Sequence, residues 1–130
     1  MQDVESFYWT YTCHGPLGSC DRSDDSNDES ASAFVVADQS DVDLYCCASA
    51  AGYKNVNIKM SQIGESQGKI DVKRKQELDG SWVVCATQHT RFTRQSYENQ
   101  ALFTCELMTD DRLHSSLTTA VIMKGNLGDI

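Results

Sequence analysis

The stretch "DVDLYCCAS", Asp41 to Ser49, decides the fold. Val42, Leu44, Cys46 and Ala48 alternate with Asp43, Tyr45, Cys47 and Ser49, which is the period-two pattern of a half-buried strand. Successive side chains of a strand leave on opposite faces, so the adjacent Cys46 and Cys47 cannot both enter one core. Cys46 belongs to the apolar set and points inward, and Cys47 points outward.

The same facing argument assigns partners. In "ALFTCELM", Cys105 shares its face with Ala101, Phe103 and Leu107, so a Cys46–Cys105 bridge would pin two packed sheets through the core. In "SWVVCATQ", Trp82, Val84 and Ala86 claim the inner face and leave Cys85 outside, where it suits Cys47. Cys13 and Cys20 then close a local loop around "HGPLG". Many connectivities of six cysteines exist, and the rival to this one places Cys13 on Cys47 or Cys85.

Outward from this stretch, the chain keeps the same period. Strands are expected at Ser6–Thr12, Ser32–Ala37, Asp41–Ser49, Asn55–Ile63, Lys69–Lys75, Ser81–Gln88, Ala101–Met108 and Leu117–Gly125. About eight short strands at close spacing, with a single Pro, predict an all-β sandwich or barrel stapled by disulfides. With 130 residues and 40% hydrophobic content, residues 1–130 form one domain around one core. Within it, "DRSDDSNDES", residues 21–30, has no apolar side chain. Its five acids against Arg22 supply half of the net charge of -8, so it reads as a mobile, solvated acidic loop.

That net charge, with no basic run to offset it, repels nucleic acid. "VKRK" at Val72–Lys75 is too short for a polybasic patch and reads as a solvated strand end. An even count of six cysteines indicates pairing in an oxidising compartment. No apolar run is long enough to insert in a membrane, and "MQDVESFYW" lacks a signal peptide's basic and apolar regions. Met1 is therefore expected to begin a mature fragment whose parent carries its anchor beyond Ile130. No Asn-x-Ser/Thr sequon occurs.

Motifs of chemistry are missing too. Adjacent cysteines and scattered histidines (His14, His89, His114) are a poor zinc set. A calcium loop at residues 21–30 would need Gly at its sixth position, where Ser26 stands. There is no Gly-x-Ser-x-Gly, no His-Glu-x-x-His and no phosphate-cradling Gly loop. The expectation is a chain without catalytic activity, cofactor or metal, and monomeric when isolated.

From Leu44 to Leu107 the chain resembles an immunoglobulin-type sandwich. "CASAAGYKNVNIKM" is similar to a strand B to strand C passage, "ELDGSWVVCA" to the turn entering strand E, and "ALFTCELM" to the strand F passage around the second cysteine. The departures are Met60 where that family keeps a core Trp and Phe103 where it keeps the corner Tyr. Such a divergent, acidic, cysteine-rich sandwich resembles the immunoevasin glycoproteins of mouse cytomegalovirus, in particular the type that binds MHC class I. The resemblance implies an immune-evasion ectodomain that binds host MHC class I in the endoplasmic reticulum, travels with it to the cell surface, and modulates T-cell and natural-killer recognition. The alternative is a host immunoglobulin-superfamily receptor, adhesion or antibody constant-type domain. For the contact surface, the polar connections Asp21–Glu29 and Gln88–Tyr97 are the candidates, and within them Asp24, Asp25, Arg91, Arg94 and Tyr97.

Overall fold

A computed structural model describes residues 1–14, 20–21, 33–36, 40–63, 69–92 and 100–123. In chain order the strands are β1 (Asp3–His14), β2 (Cys20–Asp21), β3 (Ala33–Val36), β4 (Ser40–Ala51), β5 (Val56–Gln62), β6 (Ile70–Gln76), β7 (Trp82–Phe92), β8 (Gln100–Thr109) and β9 (Arg112–Met123). Among the described residues there is no helix. They build two sheets, one in the order β1-β4-β7-β6 and one in the order β2-β3-β9-β8-β5. All pairings are antiparallel except β3 with β9, which is parallel.

The alternation expected of β4 holds. Val42, Leu44, Cys46 and Ala48 are buried together with Val56, Ile58 and Met60 of β5 and Phe103, Cys105 and Leu107 of β8. Cys46 is bonded to Cys105, a cysteine of the opposite sheet, with both fully buried. Cys47 is bonded to Cys85, its register partner on β7, at a Cα–Cα distance of 4.1 Å. That distance marks the narrow, non-hydrogen-bonded type of antiparallel pair. Cys13 is also disulfide-bonded; the side chain of its expected partner, Cys20, lies outside the described residues.

Trp9, for which the pattern assigns no face, is the largest fully buried side chain. It stands opposite Cys46 in the β1–β4 register, and its indole Nε1 donates to the carbonyl oxygen of Leu117 on β9 at 3.3 Å. One side chain of the first sheet thus fills the core beside the bridge and hydrogen-bonds the second sheet. Met60 is buried on β5 opposite Cys105. At the other side of the molecule Arg74 of β6 reaches across the open edges. Its Nε donates to the Val56 carbonyl at 2.9 Å, its Nη2 to Asn55 Oδ1, and its guanidinium lies 4.9 Å from the Trp82 ring centre.

Two turns follow from backbone needs. Asp110 and Asp111 both have positive φ, 49° and 66°, as the central residues of a two-residue hairpin of the I′ kind require. Asp110 Oδ1 accepts from the backbone N–H of Lys54 and Asn55 at 2.8 and 2.9 Å, docking the β4–β5 connection on this turn. In the β6–β7 hairpin, Gly80 at φ 89° donates to the Glu77 carbonyl. There Asp79 accepts from the hydroxyl and the backbone N–H of Ser81, and these bonds hold its carboxyl below the ordinary aspartate range.

Two sequence expectations require correction. The segment from Gln88 is not a connection as far as Phe92, because β7 runs through it with Gln88, Thr90 and Phe92 buried. Their inward period continues from Val84 and Ala86, but the polar Gln and Thr conceal it. Asp21, taken as the start of the acidic loop, pairs with Val35 in β2, a ninth strand too short to leave a periodic signal.

Two stability outcomes follow. Trp9→Ala should cost about 3–5 kcal/mol in urea denaturation, whereas Trp9→Phe, which keeps most of the volume, should lose less than half of that; equal losses would contradict the packing role. Gln88 Oε1 and Thr90 Oγ1 are buried without a hydrogen-bond partner among the described residues. Thr90→Val keeps the branched shape and removes an unmet hydroxyl, so it should raise stability by about 1 kcal/mol; a destabilised variant would show that the hydroxyl is satisfied.

Candidate functional site

The densest group of interacting charges among the described residues lies on the outer face of the first sheet. Because Cys47 and Cys85 are register partners on antiparallel strands, four residues further out stand Asp43 and His89, and six residues out stand Asp41 and Arg91. Both pairs close. Asp43 Oδ1 accepts from His89 Nδ1 at 2.7 Å, Asp41 Oδ2 accepts from Arg91 Nη1 at 2.9 Å, and His89 Nε2 lies 3.7 Å from the other oxygen of Asp41. Each acid and base comes from the outward phase of its strand, which is why the four share one face.

Beside this ladder, Thr87 of β7, Asp71 of β6 and Lys69, just before β6, line with Asp43 and His89 a cavity of about 460 Å³. His89 and Arg91 have 59% and 54% of their side-chain surface open to solvent. Such a surface leaves acids, bases and hydroxyls hydrated and gives no water-excluded place for charge to develop in a reaction. It offers instead both signs of charge and hydrogen-bond groups on a rigid sheet, which suits recognition. Among the described residues no three His, Cys, Asp or Glu side chains are grouped as a metal site would require.

The structure places Arg91, expected in a polar connection, on this ladder and paired with Asp41. Asp24, Asp25, Arg94 and Tyr97 lie outside the described residues, so Arg91 is the one expected contact residue with a defined position. Residue type alone does not mark Asp41, Asp43 and His89 as a group. They were nonetheless readable, since the Cys47–Cys85 pairing fixes the register that brings them together.

Compared with known protein families, with curated proteins and with solved structures, the chain matches none.

A double-mutant cycle on Asp41 and Arg91 should return a coupling of about 0.2–1 kcal/mol that shrinks in molar salt, as for exposed ion pairs. A salt-independent coupling several times larger would mean that this face is covered in the folded protein.

Proposed function

We propose that this chain is a non-catalytic binding ectodomain of immunoglobulin-like architecture. The observation that carries the reading is strand order. With β1, β4, β7 and β6 as A, B, E and D, and with β5, β8 and β9 as C, F and G, the strand order is that of a constant-type arrangement to which β2 and β3 are added beyond β9. The Cys46–Cys105 bridge then joins B to F, as in that architecture. Trp9 on the first strand takes the part of the core Trp otherwise supplied by strand C.

The disulfides, one of them buried between the sheets, point to an oxidising, secreted or extracellular setting. No helix among the described residues is long and apolar enough to cross a membrane. An exposed, rigid face with a charge ladder supports binding rather than turnover.

For the partner, the resemblance to mouse cytomegalovirus immunoevasins selects host MHC class I, met in the endoplasmic reticulum and carried to the cell surface. The refolded chain should bind folded, peptide-loaded mouse MHC class I saturably in surface plasmon resonance, and a reduced, alkylated sample should not. Absence of binding to several allotypes by a folded sample would reject this partner and favour a host receptor or adhesion domain of the same architecture.

A further inference from the structure

The two bridges with defined geometry differ in what surrounds them. Cys46–Cys105 has both residues fully buried between the sheets. Cys47–Cys85 lies on the outer face of one sheet, between strands already joined by a ladder that runs from Ser40–Phe92 to Ala50–Trp82 on either side of it. The sandwich therefore does not need the outer bridge to hold β4 against β7, and a fold held together by the inner bridge can survive its opening.

The two outer sulfurs are not equally approachable. Cys47 is only 7% exposed, with β1 on its far side and Tyr8 as its register partner there. Cys85 is half-buried and stands one strand from the sheet edge. On that edge strand β6, every residue from Asp71 to Gln76 is exposed. Lys73, opposite Cys85 in register, is an exposed cation that makes no ion pair within the described structure. A cation beside a sulfur draws in an attacking thiolate and favours thiolate character.

We propose that Cys47–Cys85 is a thiol–disulfide exchange site, where an external thiolate is captured as a mixed disulfide on Cys85 while Cys46–Cys105 stays closed. The incoming thiolate forms a bond to Sγ of Cys85, and the Cys47–Cys85 bond breaks. Its electron pair leaves on Sγ of Cys47, which takes a proton from solvent. One disulfide is consumed and one is formed, so no other oxidant or reductant enters. The co-reactant is a small anionic thiol or an exposed protein thiol; Lys73 favours the anionic one.

Reduced glutathione is the probe. The folded protein is incubated with it in native buffer, quenched in acid, alkylated and mapped by peptide mass spectrometry, with circular dichroism followed in parallel. The expected result is a glutathione adduct on Cys85, a free thiol on Cys47, an intact Cys46–Cys105 bridge and an unchanged β spectrum. Lys73→Glu on the exposed edge should slow adduct formation roughly three- to tenfold at low salt and little at high salt. The proposal is overturned if Cys85 is modified only as the protein unfolds, if Cys46 and Cys105 open at the same rate, or if the adduct forms on Cys47.

Discussion

The fold depends on the contact between Trp9 and the Cys46–Cys105 bridge. A bridge alone ties β4 to β8 at one point and leaves the sheets free to rock about it. Trp9, opposite Cys46 and hydrogen-bonded to Leu117, adds a second tie from β1 to β9 and fills the space beside the sulfurs. Burying a large aromatic and satisfying its N–H across the layer joins packing to orientation in one side chain. Met60, which needs no polar partner, then fits the opposite wall.

The layout of the surface follows from the same core. Once the inward phase of β4 and β7 is fixed, the outward phase carries Cys47 and Cys85, then Asp43 and His89, then Asp41 and Arg91, as successive rows. At the open side, edge strands β6 and β5 are joined by Arg74, whose guanidinium lies over Trp82 while its nitrogens bond the β5 edge. Lys73, Arg74 and Lys75 also place positive charge along β6, which discourages pairing with a further strand. The charge ladder, the outer Cys47–Cys85 bridge and the guarded edge are thus arranged on one sheet of one scaffold.

The sequence makes some of this legible and hides the rest for identifiable reasons. Alternation around Cys46 and Cys47 reveals the all-β class, the facing of β4 and the division of cysteines into inner and outer sets. It fails at Gln88 and Thr90, because burial there is not matched by apolarity. Trp9 escapes assignment because Phe7, Tyr8, Trp9 and Tyr11 are aromatic on both phases, so no period distinguishes its face. The ladder of Asp41, Asp43, His89 and Arg91 is a property of register and not of any local motif. It becomes visible only when one cross-strand pair is known.

Whether Trp9 bridges the two sheets beside the inner disulfide is tested most directly by nuclear Overhauser contacts measured in solution. The expected contacts run from the Trp9 indole ring to Cys46 and from its N–H to the backbone of Leu117, with parallel backbone contacts between β3 and β9. A Trp9 indole with contacts only within β1, or with an N–H that exchanges at the rate of a solvent-exposed group, would contradict this bridging role.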